Sequence, residues 1–406
     1  MGQPNRYISE QPNESLHGNK VKSFFQDIAV QNVSSGLISS TLIMTGPALI
    51  ILQAAEAGHF SSQHTINWMF AVYFLGGLFG IVMPLLFKIP ITGGHSISGV
   101  AFLATVTTHF TYPQLIGGYV VSGLLILLIG LSGLFTKIIK WVPREVIAAM
   151  LAGLVTNYVV QLVSDVKALP VVGGAALLSY FICTKFSKRL PAVMIAVVVA
   201  FIALFLTQDL NTSSKGLAFF LPSIQVPEFT WMGMVTLGLP LAMLILSNDV
   251  APGIGALESS DYEPPIRKIV SLSGVFSIMA SFFGGQSANI AGMMTAICSS
   301  ADAGVKSKRY MASVVSGILT LFFGVFAWKI VPFIQSLPGA FVSMLAGFAL
   351  IGVLLSSLQM GFSENKYRLS ALFAFLIALS HVSFFHISAP VWGLVVGAVI
   401  ARTVEA

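Results

Sequence analysis

Apolar runs of 16–25 residues recur from Ser34 to Val399, each near the length that crosses the hydrocarbon core of a bilayer. A chain patterned this way has lipid as its solvent. Its charge content agrees: 9% of residues are charged, against roughly 25% in a soluble domain. Length alone would suggest about three soluble domains, but the hydropathy pattern overrules that expectation. The first 30 residues are polar and lack the apolar core of a cleaved signal peptide, which predicts a cytoplasmic N-terminal tail.

Fourteen spans are expected, making an all-α membrane protein. The first seven run near Ser34–Ala57, Ile66–Phe87, Ile91–Thr107, Gln114–Phe135, Val142–Val163, Leu169–Cys183 and Pro191–Leu206. After a polar stretch, Thr207–Thr230, the second seven run near Trp231–Leu257, Ile269–Phe283, Gln286–Ser299, Met311–Val331, Ala340–Leu358, Leu369–His381 and Ser388–Ala401. With the N-terminus inside and sides alternating, all but Lys167, Lys215 and Lys329 of the 21 lysines and arginines fall on the cytoplasmic face. A miscounted span would invert every later loop and spoil that asymmetry. Multi-pass insertion in a cell (inner or plasma) membrane with both termini cytoplasmic follows.

The two halves repeat. Val121-Ser122-Gly123-Leu124 matches Val315-Ser316-Gly317-Ile318, and Met150-Leu151-Ala152-Gly153 matches Met344-Leu345-Ala346-Gly347, both at an offset of 194. Gly93-Gly94-His95-Ser96 matches Gly284-Gly285-Gln286-Ser287 at 191. An odd number of spans per half means that the halves face opposite ways, so a 7+7 inverted repeat is expected, as in many secondary transporters.

The most informative motif is the duplicated Gly-Gly break, which predicts discontinuous spans 3 and 10. A break at mid-membrane depth exposes the first N–H groups of a half-helix and its positive dipole end. In lipid these must meet protein, water or a ligand. Two such termini converging would make an anion site from Gly94, His95, Ser96 and Ser98 in one half and Gly285, Gln286, Ser287 and Asn289 in the other. The competing reading is that Gly and Ser only let helices pack closely. Asp249, well inside span 8 beside Asn248, is the costly intramembrane acid; burial disfavours a charged carboxylate, so such a group can take up and release a proton. His95 is a second proton candidate. Gln53 occupies the matching position in span 1 and suits ligand hydrogen bonding. Glu56, nearer the outer end, is a peripheral proton candidate that also reads as a solvated interfacial carboxylate.

Competing chemistry is missing from the sequence. There is no phosphate-cradling Gly-x4-Gly-Lys-Ser/Thr loop, no Cys/His cluster with metal spacing and no hydrolase set. No cofactor, metal or catalytic activity is expected, and the basic loops are explained by topology rather than by nucleic acid. Trp68, Trp141, Trp231 and Trp328 read as an aromatic belt near span ends, and His381 and His386 as interfacial.

At these motifs the chain resembles the benzoate/proton symporter (BenE) family. The resemblance is carried by Gln53-Ala54-Ala55-Glu56-Ala57-Gly58, Ile89-Pro90…Ser96…Gly99, Met150-Leu151-Ala152-Gly153, Pro252-Gly253…Tyr262-Glu263-Pro264-Pro265, Phe283-Gly284-Gly285…Ala288-Asn289…Thr295-Ala296-Ile297-Cys298 and Arg309-Tyr310. It implies the fold shared with nucleobase and sulfate-type carriers. A core domain would comprise 31–140 and 231–335, a gate domain 141–208 and 336–406, with 1–30 a cytoplasmic tail and 209–230 an extracytoplasmic linker. Substrate would sit between spans 3 and 10. Three positions depart from the family's usual pattern: Gln286 stands where histidine is usual, His95 where an aromatic is usual, and Asp249 in a motif that usually lacks an acid. The expected function is proton-coupled import of benzoate or a similar small carboxylate by alternating access. Its alternatives are a nucleobase or inorganic-anion carrier of the same fold, or an uncoupled channel or facilitator. The expected partners are the organic anion, the proton and the bilayer; a homodimer is an open assembly.

Overall fold

The computed structural model describes residues 26–135, 137, 143–186, 192–208, 222–363, 365–380, 382 and 389–405. Trp141, His381, His386 and most of the inter-half stretch lie outside them. In the first half the order is α1 (Val30–Ala57), α2 (Ser62–Phe87), β1 (Gly93–Gly94), α3 (Ile97–Val106), α4 (Tyr112–Ser132), α5 (Arg144–Ala168), α6 (Pro170–Phe186) and α7 (Ala192–Thr207). The second half has α8 (Trp231–Ser259), α9 (Ile266–Ser281), β2 (Asn289–Ile290), α10 (Gly292–Ser299) and α11 (Tyr310–Val325). It ends with α12 (Ala327–Gln335), α13 (Gly339–Gly361), α14 (Arg368–Ser380) and α15 (Ala389–Thr403).

Among the described residues, six helices are long and apolar enough to cross a membrane. A seventh is added if α11 and α12, bent by 65° at their junction, count as one. The sequence had suggested one run over Met311–Val331. Instead Phe326 closes α11, its N–H returning to the Phe322 and Gly324 carbonyls, and the chain turns off at a new angle. Several other apolar helices are only 10–17 residues long, including α6, α7 and α14.

Local chemistry explains the irregular elements. Helix α8 is interrupted by two π-turns, Met234–Gly238 and Leu246–Val250. Proline removes one N–H and crowds the carbonyl four residues back, and a π-bulge is one way to absorb this. Pro240 and Pro252 stand four residues after Thr236 and Asn248, inside the two turns. The second turn therefore places Asn248 and Asp249 on a widened stretch of backbone.

Where helix 3 might have run unbroken, the chain is extended. β1 pairs antiparallel with β2, Gly93 opposite Ile290 and Gly94 opposite Asn289. The contact continues on both sides: the Ala291 N–H donates to the Thr92 carbonyl (2.9 Å), and the Ser96 N–H donates to Ser287 Oγ (2.9 Å). Around this crossing the core is dense, with Trp68, Tyr73, Phe79 and Phe102 wholly buried. Helices α2 and α11 meet backbone to backbone. A Cβ on Gly77 would stand 2.5 Å from the Leu321 nitrogen and 2.6 Å from the Gly317 oxygen, so only glycine permits that approach.

Candidate substrate cavity

A cavity of about 300 Å³ lies beside the strand crossing, at the lower end of the range typical of small-ligand sites. His95, Ile97 and Ser98 come to it from the start of α3, and Ala291–Met294 and Ala296 from the start of α10. Asn248, Asp249 and Pro252 come from the second π-turn of α8 and Ile43 from α1. The opposite wall is Ala148 and Leu151 of α5 with Val353, Ser356, Ser357 and Met360 of α13. No lysine or arginine is among the lining residues.

The polar groups there fall into two kinds. Asn248 is turned back on its own helix, its Nδ2 donating to the Leu244 carbonyl (3.3 Å) and to Ser247 Oγ (3.1 Å). By contrast, both ring nitrogens of His95 and Oδ2 of Asp249 are buried without a hydrogen-bond partner among the described residues. The His95 ring lies edge-on to Tyr73, centroids 4.9 Å apart, and Tyr73 is itself pinned by donating to the Ile43 carbonyl (3.1 Å). Buried polar atoms ordinarily have partners, so an unpaired carboxyl oxygen and an unpaired imidazole on one cavity point to a ligand or proton pathway. The first amides of α3 and α10 have no acceptor inside their own helices. The site can therefore offer an anion backbone dipoles, the Ser98 hydroxyl and His95, against an apolar wall and without a fixed cation.

Ser96 is the N-cap of α3, its Oγ accepting from the Gly99 N–H (3.0 Å). The structure thus brings His95, Ser98, Asn248 and Asp249 onto one cavity, with Ser96 directly behind. Gly94, Gly285, Gln286, Ser287 and Asn289 do not line it. Gly94 and Asn289 are partners in the strand pair. Gly285 closes the turn after α9, where its N–H reaches the Ala280 carbonyl and the preceding Gly284 adopts φ +92. Gln286 and Ser287 hold Ser96 from behind.

The reason is a one-turn difference between the halves: α3 begins one residue after Ser96, whereas α10 begins at Gly292, five after Ser287. Gln53 is not a lining residue, although its Oε1 is also buried and unpaired. Glu56 lies elsewhere, on a separate cavity of about 530 Å³ with His59, Thr65 and Gln335.

Trp68, read from sequence as part of an interfacial belt, is wholly buried and donates from Nε1 to Gln286 Oε1 (2.6 Å). Ser356 and Ser357 were missed as well. A pair of serines inside an apolar run was the one available signal for them.

The family model for the benzoate membrane transport protein, BenE, matches residues 26–403. This chain belongs to the BenE family. The benzoate membrane transport protein of Acinetobacter baylyi is 29% identical over 378 residues, covering 93% of this chain and 96% of that protein. Inner membrane protein YdcO of Escherichia coli is 29% identical over 366 residues, 90% of this chain and 93% of its own. Among solved structures, the transmembrane domain of the cyanobacterial bicarbonate transporter BicA superposes with a TM-score of 0.60 at 18% identity, covering 92% of this chain and 98% of that one. SLC26A9 superposes at 0.62 with 13% identity, covering 99% and 72%. At those identities the likeness is one of fold. This BenE-family chain is thus a multi-pass membrane transporter whose helices follow the architecture of those two transporters.

Proposed function

We propose that this chain is a secondary active transporter that imports benzoate or a similar small carboxylate together with a proton. The observation that carries the reading is the cavity itself. It joins two half-helix N-termini, an apolar wall and one buried acid, with no lysine or arginine among its lining residues. An ionised Asp249 and a bound carboxylate would repel each other. Two like charges about 4 Å apart cost roughly 4 kcal/mol at an effective dielectric near 20. Protonated, Asp249 becomes a hydrogen-bond donor and the repulsion vanishes. Anion binding and proton binding then favour each other, which is the thermodynamic content of symport. His95 is the other titratable group on the cavity; as a neutral imidazole it would donate one N–H to the anion.

The architecture we propose is the 7+7 inverted repeat, with a core of 31–140 and 231–335 working against a gate of 141–208 and 336–406. Three observations support it. The pairing of α2 with α11 and of α4 with α9 exchanges when each half is mapped onto the other. Strand partners sum to 383 in residue number, while the Gly-Gly motif repeats at 191, so Ser96 is held against its own repeat-mate Ser287, as a two-fold axis between them requires. The substrate cavity also lies where α3, α8 and α10 face α5 and α13.

With the N-terminus inside, the site opens inward in this conformation. It shares Asn248, Pro252 and Met360 with a second cavity of about 410 Å³ that Arg144 and Glu258 line. The cavity at Glu56 shares no lining residue with the site. Helix α1 packs closely on α13, where a Cβ on Gly46 would stand 2.9 Å from Ala349 Cβ.

The test is uptake of radiolabelled benzoate into proteoliposomes with an imposed pH gradient, competed by aromatic acids, uracil, bicarbonate and sulfate. Saturable, gradient-driven uptake blocked by aromatic acids alone is expected. Uptake of sulfate or uracil in preference, or a non-saturating current indifferent to pH, would replace this reading with the carrier or channel alternative.

A further inference from the structure

The structure contains a hydrogen-bonded chain behind the cavity, none of whose members lines it. Trp68 of α2 donates from Nε1 to Gln286 Oε1 (2.6 Å), and Gln286 Nε2 donates to the Ser96 carbonyl (3.3 Å). The neighbouring Ser287 accepts from the Ser96 N–H (2.9 Å). Two consecutive residues of the second half thus grip both backbone groups of one residue in the first. Trp68, Ser96, Gln286 and Ser287 are each 0% exposed. Ser96 has its remaining groups committed too, its carbonyl to the Val100 N–H and its Oγ to the Gly99 N–H. Every polar atom of the residue that starts α3 is therefore fixed. His95 and Ser98, its neighbours at one and two residues, are the side chains that reach the cavity.

Such a grip is more than packing requires. A leucine or methionine at 286 facing a phenylalanine at 68 would fill space as well and would leave no side-chain polar group to satisfy. An amide here commits the core to a buried network whose members must all be paired. What the amide adds is direction: it sets where the first turn of α3 sits relative to α10 and α8.

We propose that Gln286 is a positioning residue for substrate binding, anchored by Trp68 and acting through Ser96 to hold the N-terminus of α3 against the cavity. The uptake readout rests on the carboxylate-symport reading above; the labelling readout does not.

The variants are Gln286→Met, Trp68→Phe and the two combined. Each is measured for KM and maximal rate per folded protein, and for melting temperature. Gln286→Met is expected to raise KM about five- to tenfold, the scale of one or two lost hydrogen bonds, with little change in maximal rate. It also strands the Trp68 N–H and lowers the melting temperature. In the double variant that orphan donor is gone, so stability should recover while KM stays as high as in Gln286→Met. A KM that follows stability back to the wild-type value would mean that Gln286 merely fills the core.

The second readout is the rate of thiol labelling at Ser98→Cys, in a background with Cys183 and Cys298 replaced by alanine. A shift in that rate with Gln286→Met supports positioning even if the wild type proves not to carry benzoate, in which case the substrate reading alone falls. Unchanged labelling together with unchanged KM overturns the proposal.

Discussion

The Ser96 N–H donates to Ser287 Oγ at 2.9 Å, and the two residues are separated by the same 191 positions that separate the Gly-Gly motifs. A residue and its repeat-mate are thus in direct contact at the crossing of the two extended segments. Yet they do different work: Ser96 caps α3, while Ser287 props Ser96. The candidate cavity opens beside this broken symmetry, with a capped half-helix on one side and on the other a half-helix that starts one turn later.

In the proposed mechanism Asp249 is the group on which coupling depends. Asp249→Asn should leave benzoate binding within about threefold of wild type at acidic pH, because the amide replaces a protonated carboxyl, and should abolish accumulation driven by a pH gradient. Equilibrium binding and gradient-driven uptake, measured side by side, check this. Unchanged accumulation would remove Asp249 from the mechanism.

His95 is expected to serve the anion rather than the proton. His95→Phe keeps a ring against Tyr73 but removes both nitrogens. Benzoate affinity should fall roughly tenfold to a hundredfold, the range of a hydrogen bond to a charged group. The pH dependence of uptake should keep its wild-type shape. A flattened pH profile would instead assign the proton to His95.

Gly77 tests the packing that holds the site's scaffold. Gly77→Ala drives a Cβ into the Leu321 nitrogen and Gly317 oxygen of α11. Overpacking against backbone typically costs 1–3 kcal/mol, so the melting temperature should fall and uptake with it. Gly174→Ala, where an added Cβ meets nothing within 4 Å, is the matched control.

Glu405 supplies a pH-dependent contribution away from the membrane interior. Its slight desolvation acts to raise its pKa. Hydrogen bonds from Ser370 and from the Leu369 and Ser370 amides at the start of α14 outweigh that and hold the carboxyl below its ordinary value of 4.5. A group depressed in the folded state stabilises above its unfolded pKa and loses that contribution as pH falls through the folded pKa. Glu405→Gln should therefore lower the melting temperature slightly at pH 7, and the difference should shrink on acidification below about pH 4.

Much of this was legible from sequence because its causes are local or periodic. The apolar runs announced lipid, the Gly-Gly pairs announced the breaks in spans 3 and 10, and the acid deep in span 8 turned up on the cavity. What escaped depends on tertiary packing. Nothing in Gly285-Gln286-Ser287 says that the strand contact continues to Ala291 and delays α10 by a turn. Nor does an apolar helix reveal which of its faces meets a cavity, so Ser356 and Ser357 went unnoticed. Trp68 sat near an expected span end, yet the chain folds it inward onto Gln286. Glu56, expected near the outer end of span 1, lines a different cavity.

The most direct test of the account is calorimetry of benzoate binding to the purified protein in buffers of differing ionisation enthalpy, which counts protons taken up per anion bound. At a pH high enough to ionise Asp249 in the free protein, the wild type should take up about one proton per benzoate and Asp249→Asn about none. Equal proton uptake in both proteins, or none in the wild type, would contradict the linkage between the buried acid and the bound carboxylate.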